Sequence, residues 1–197
     1  MSTLEAEWLQ QALAGDETAF ANIVEAYQRP VFNLCYRMLG DPIDAEDAAQ
    51  ETFWRAYQAL KRYDQKRAFA TWLLSIAAHY CIDQQRKRRM PILSMELLPE
   101  EDAPDYSPSP EKIVTELEES SQMRKLLSRL GPQDRAALIL RYWYEFSEEE
   151  IARTLSLTVS AVKSRLHRAR KEMAQNWQEE PTTKPIAERR KNESPAL

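Results

Sequence analysis

Apolar residues recur along this chain at three- and four-residue intervals, the spacing of one helical face. Leu4, Trp8, Leu9 and Leu13 predict a short amphipathic helix over residues 3–13. Gly15-Asp16 breaks it, and Asp16 can cap a second helix. That long helical pattern runs from Phe20 through Ile23, Val24, Tyr27, Val31, Leu34 and Met38 to Leu39, and Pro30 is expected to kink or split it. Gly40-Asp41-Pro42 is a stop. The next helix is expected from near Asp44 to about Lys61. Ala45, Ala49, Phe53, Ala56 and Leu60 face inward, while Asp47, Gln50, Glu51, Trp54 and Arg55 share the other surface. Trp72, Leu73, Ile76, Ala77 and Ile82 form a further stripe.

Residues 91–110 break the pattern: five prolines sit there with five acids and no Lys or Arg. Prolines this dense prevent a continuous helix, and the segment has little to bury. Periodicity resumes near Glu111 with Ile113, Leu117, Met123, Leu126, Leu127 and Leu130. Gly131-Pro132 ends that helix and starts another over Gln133 to Tyr144. Ser147 with Glu150 fits a capping box. Ile151, Ala152 and Leu155 then share one face, Ser156-Leu157 make a turn, and Thr158 caps a helix with Val159, Val162, Leu166 and Ala169 on its inner side. Ser156 stands where a glycine often relieves the backbone. The expected fold is all-α: two small helical domains, residues 1–90 and 111–177, joined by a proline-rich acidic linker over 91–110. The second ends in a helix-turn-helix, and 178–197 are expected to be a disordered tail.

Composition supports this: 43% hydrophobic and 29% charged residues suit a soluble globular protein, and only three glycines are present. A net charge of −4 argues against a generally basic coat for nucleic acid and for local basic surfaces instead. No run of about 18 apolar residues occurs, and Glu5 and Glu7 lie where a signal peptide would be basic. Cys35 and Cys81 read as small core residues, with no metal site and no compelling disulfide. The expected compartment is the cytoplasm.

Two stretches carry candidate chemistry. From Val159 to Lys171 there are five Lys or Arg and no acid, opposite the apolar stripe. Such a helix suits the DNA major groove, where phosphates attract the charge and base edges offer hydrogen bonds; a solvated basic face has the same pattern. From Lys61 to Arg89, Lys61, Arg62, Lys66, Arg67, Arg86, Lys87, Arg88 and Arg89 are interleaved with Phe69, Trp72, His79 and Tyr80. Cations that track phosphates and rings that stack unpaired bases are what a single strand needs; Phe69 and Trp72 also fit a core. The surface of Asp47, Gln50, Glu51 and Trp54 reads either as a docking face or as ordinary solvated helix. No phosphate-binding glycine loop, metal-ligand cluster or Ser/His/Asp constellation stands out, so an enzyme is not expected, and no cofactor or metal is.

DAEDAAQETFWRAYQAL, then FATWLLSIAAHYCIDQQRKRR, then the linker, then LSRLGPQDRAALILRYWYEFSEEEIARTLSLTVSAVKSRLHRARKEM together resemble the bacterial RNA polymerase sigma factors, most nearly the small extracytoplasmic-function group. The resemblance covers about residues 15–90 and 111–175. It implies that Asp47, Gln50 and Glu51 dock on the β′ clamp of core polymerase, with the β flap as a second contact. It implies that Lys61 to Arg89 melt the −10 promoter element and hold its non-template strand, with Arg86, Lys87, Arg88 and Arg89 on the upstream backbone. His79 stands where the family often has an asparagine, in the loop that captures a flipped base. Ser160, Ala161, Lys163, Ser164, Arg165 and Arg168 match the helix that reads the −35 element, Ala161 replacing a common threonine. An anti-sigma protein is a further partner the resemblance implies. A polymerase-independent helix-turn-helix regulator and a helical adaptor for an acidic partner are the competing readings.

Overall fold

A computed structural model describes residues 3–89 and 113–179. The expected linker, residues 91–110, lies outside the described residues, as does the expected tail from residue 180 onward; the first two tail positions, 178 and 179, instead continue the last helix. Eight α-helices and no strand occur among the described residues.

Helix α1 (Thr3–Leu13) packs on α2 (Glu17–Leu39), which lies against α3 (Pro42–Ala59) and α4 (Phe69–Arg89). A single 3-10 turn, Leu60–Arg62, comes after α3. Asp16 caps α2, accepting from the backbone N–H groups of Thr18 and Ala19. Gly40 ends α2 in the left-handed region, at φ 86°, where a side chain would be strained. Helix α3 begins earlier than its acids suggest. Asp41 caps it at 2.8 Å and 2.9 Å, and Pro42 occupies the first turn, where a missing N–H costs nothing.

Pro30 neither splits α2 nor ends it. The helix runs through because Ile23 on one side and Val31, Leu34, Cys35 and Met38 on the other are buried in the same core. The carbonyl that loses its partner belongs to Ala26, on the exposed side, where water can satisfy it.

The second domain holds α5 (Ile113–Arg129), α6 (Pro132–Trp143), α7 (Glu148–Thr154) and α8 (Val159–Glu179). Helix α6 packs against α7 and α8, and its apolar run Ala136 to Leu140 is wholly buried. Helices α2 and α4 of the first domain contact α6, so both domains share one continuous apolar cluster. Polar bonds cross the seam as well. Arg135, 6% exposed, donates to the Met38 carbonyl, as does Gln85. Tyr144 donates to the Pro30 carbonyl at 2.6 Å, Arg124 to the Tyr36 hydroxyl at 2.6 Å, and the Arg37 guanidinium lies 5.2 Å from the Trp143 ring centroid. Cys35 and Cys81 are free and buried in the first-domain core, where a hydrogen bond between the two thiols, with burial, pushes the Cys81 thiol up.

Candidate nucleic-acid interface

The outward face of α3 is set by its inward one. Ala45, Ala48, Ala49, Thr52, Phe53 and Ala56 are buried, which turns Asp47, Gln50, Glu51 and Trp54 the other way. Asp47 and Gln50 are exposed, and Glu51 accepts from Arg55 at 2.7 Å. The Arg55 guanidinium in turn lies 4.8 Å from the Tyr80 ring centroid. Trp54 is 58% exposed and Tyr57 40%, their rings stacked with centroids 6.4 Å apart. Asp47, Gln50, Glu51, Trp54 and Tyr80 together line an open cleft of about 390 Å³. Large aromatics left in water beside carboxylates are what a protein-docking face offers. Sequence reasoning missed Tyr57, although its helical period places it beside Trp54. Tyr80, expected among strand-binding residues, borders this acidic cleft.

The basic stretch divides between a loop and α4. Tyr63 donates to the Arg67 carbonyl, and Asp64 accepts from the Lys66 N–H at 3.0 Å, which closes the loop into a compact turn. Lys61, Arg62, Lys66 and Arg67 stand exposed around it. Beneath lie Tyr63, Phe69 and Trp72, with ring centroids 5.0–5.5 Å apart. Phe69 is 2% exposed, so its ring is core here and is not presented to a base. Trp72 is half-buried and keeps one side at the surface. His79 lies within α4, not in a loop: the segment is continuous helix from Phe69, and an imidazole nitrogen sits 2.8 Å from the Ser75 carbonyl one turn back. Arg86, Lys87 and Arg88 fall in the last turn of α4, where cations complement the helix dipole, and the helix ends at Arg89. Arg88 pairs with Asp44 at 2.6 Å, and Arg86 lies 3.8 Å from Asp83.

In the second domain the capping box forms as its spacing predicts. Glu150 accepts from the Ser147 backbone N–H at 2.8 Å and from its hydroxyl at 2.9 Å, which holds the Glu150 carboxyl below the usual range. Ser156 takes the turn in the left-handed region, at φ 54°. Thr158 caps α8 by accepting from the Ala161 N–H at 3.1 Å. Ile151, Ala152, Leu155, Val162, Leu166 and Ala169 are buried between the two helices and α6. Ser160, Lys163, Ser164 and Arg168 therefore point outward, while Ala161 and Arg165 are half-buried. Asp134, near the start of α6, accepts from Arg165 Nη1 at 2.6 Å and Arg168 Nε at 2.8 Å. Nothing in the periodicity of α8 signals this partner, which lies some thirty residues upstream.

The two basic surfaces meet. Arg86 joins Gln133, Asp134, Arg165 and Arg168 around an open cleft of about 630 Å³. A second, of about 340 Å³, sets Lys66, Arg67 and Trp72 of the first domain against Glu150 and Arg153 of α7. No group of side chains suited to a metal ion occurs among the described residues.

Comparison with known proteins gives a consistent result. The family model for sigma-70 region 2 matches residues 23–90, and that for sigma-70 region 4 matches residues 120–173. The ECF RNA polymerase sigma factor SigW of Bacillus subtilis is 38% identical over 169 residues, covering 82% of this chain and 90% of that one. The RNA polymerase sigma-H factor of Pseudomonas aeruginosa is 32% identical over 169 residues, covering 82% and 88%. Among solved structures, CnrH in complex with the cytosolic domain of CnrY has the same fold, with a TM-score of 0.68 at 24% identity over 90% of this chain and 99% of that one. So does the sigma factor RpoE in complex with the anti-sigma factor NepR from Bartonella quintana, with a TM-score of 0.60 at 20% identity over 82% and 98%.

Proposed function

This chain belongs to the extracytoplasmic-function RNA polymerase sigma factors, and from that premise we propose how its surfaces divide the work. Members of the family direct core RNA polymerase to promoters and are non-catalytic initiation factors; this chain is a promoter-directing factor of that kind. The α3 face of Asp47, Gln50, Glu51 and Trp54 docks on the β′ clamp. The loop after α3 and the exposed side of α4, with Lys61, Arg62, Lys66, Arg67, Trp72 and His79, take the separated −10 strand. Phe69 supports Trp72 from below. Helix α8 reads the −35 duplex through Ser160, Lys163, Ser164, Arg165 and Arg168. Bond making belongs to the polymerase. We place the chain in the cytoplasm with that enzyme; no described helix is long and apolar enough to cross a membrane. An anti-sigma protein, such as the partner named for the Bartonella quintana factor, belongs to the same reading.

This assignment requires the domains to part. Arg86 and Arg168 line one cleft in this arrangement. The elements they would contact are named for positions about 25 base pairs apart, roughly 85 Å of duplex at 3.4 Å per base pair. Residues 90–112 reach at most about 75 Å at roughly 3.3 Å per residue, which with the breadth of two domains is enough. Each site binds weakly alone, and tethering both to the polymerase raises their effective concentration at the promoter.

The observation that carries the reading is the presence of both regions, in order, in one chain. Transcription in vitro with purified core polymerase and a promoter library, with and without this protein, tests it. Promoter-specific initiation should depend on the added chain; a tight footprint without polymerase would assign it instead to the self-sufficient regulators. Asp47→Lys combined with Glu51→Lys should weaken binding to core polymerase about 100-fold, near 2.7 kcal/mol, with helicity unchanged. Unaltered affinity removes α3 from the docking role.

A further inference from the structure

The arginines of α8 are tied to α6, and the tie has a consequence for what they can read. Asp134 sits in the first turn of α6, where the helix dipole favours a carboxylate. It is 8% exposed, and a carboxylate that deep needs a partner. Its two oxygens are divided between two arginines, Arg165 Nη1 at 2.6 Å and Arg168 Nε at 2.8 Å, both in the range of charge-assisted bonds. Arg165 and Arg168 lie three apart on α8, so they leave the helix from neighbouring positions on one side. One carboxylate therefore holds both, and it is carried by a helix packed along α8.

The clamp affects recognition in two ways. Arg168 is held by Nε, which leaves its two terminal Nη groups as donors on a side chain that is 59% exposed. That fork is the part of arginine that matches the two acceptors of a guanine edge in the major groove. Holding it in place removes rotamers that would otherwise be lost on binding. The carboxylate also cancels one of the two positive charges, so this part of α8 attracts phosphate less than two bare arginines would.

We propose that Asp134 is a positioning residue for promoter discrimination: it aims Arg168, with Arg165, at base edges and lowers sequence-independent attraction to the backbone. This rests on the reading of α8 as the −35 helix. The test uses the full chain bound to core polymerase, with promoter fragments differing only in the −35 element, at several salt concentrations. Asp134→Asn should reduce the preference for the favoured over a scrambled −35 element about 10-fold. It should also raise affinity for the scrambled fragment and steepen the dependence of log affinity on log salt by about one. A folded Asp134→Asn protein with unchanged preference and unchanged salt slope overturns the proposal. Should that variant not fold, Asp134→Glu keeps the charge but moves the arginines. It should weaken the preference with the salt slope unaltered, and retention of the full preference overturns the proposal. Wild-type protein with no −35 preference at all would overturn the reading of α8 itself, which separates the two failures.

Discussion

The two domains display their cations in opposite ways. Around the first-domain loop, Lys61, Arg62, Lys66 and Arg67 stand in water, with Arg67 3.9 Å from Asp64, and at the end of α4 Arg86 lies 3.8 Å from Asp83. Exposed pairs at that separation restrain little. Short pairs also occur in the first domain: Arg88 with Asp44 at 2.6 Å, which ties α4 to α3, and Arg55 with Glu51 at 2.7 Å within α3. In the second domain, Arg165 and Arg168 are clamped at 2.6 Å and 2.8 Å on one buried carboxylate. The difference matches the proposed ligands. A separated strand is flexible, so mobile cations and a flat ring such as Trp72 can adapt to it. A duplex offers its base edges in a fixed frame, so the donors that read it gain from being fixed too. Rigidity belongs where the partner is rigid.

The strongest way to break this comparison is to loosen the second domain. Leu166 is 5% exposed, and Leu166→Ala should cost about 2–5 kcal/mol, read from denaturant unfolding. Discrimination at the −35 element should fall with it, while docking through α3 persists; full discrimination from so loosened a helix would show that the clamp does not matter. A smaller effect is expected in the first domain. Trp72→Ala should weaken holoenzyme binding to −10 single-stranded DNA by about 1–3 kcal/mol, measured by anisotropy, and leave the −35 preference alone. If strand affinity is unchanged, the ring serves only to pack on Phe69 and Tyr63. Smallest is the cap of α7: Ser147→Ala should lower stability by about 1 kcal/mol near neutral pH. The Glu150 carboxyl is held low by its bonds to Ser147, so its contribution is present above the ordinary glutamate value and lost as pH falls through the folded one. Ser147→Ala also removes the cap on the Glu150 N–H, which does not titrate. Melting curves of wild type and variant should therefore draw closer as pH falls through the folded Glu150 value without meeting.

Much of this was legible along the chain, and the places where it was not share a cause. The capping box at Ser147, the strained turn at Ser156 and the buried stripe of α3 are local patterns set by neighbours within a few residues. Pro30 does not split its helix because burial on both sides of it outweighs one missing hydrogen bond. His79 and Phe69 were read by what surrounds them in sequence. The helix around the first and the ring cluster of Tyr27, Tyr63 and Trp72 around the second come from packing. Cys35 and Cys81 showed as core residues, but not as neighbours.

The amino-acid pattern alone determined that this chain is helical, where its helices begin and end within a turn or so, and that the same type of charge gathers on two separate stretches. It could do so because capping, periodicity and charge density act over a few residues. Only the tertiary structure decided that those stretches face one another across a seam, that Tyr80 borders the acidic cleft, and that Asp134 holds Arg165 and Arg168. Each of those facts depends on side chains brought together from distant positions, and the distance between them is set by how the apolar faces of α2, α4, α6 and α8 pack, which no local pattern specifies.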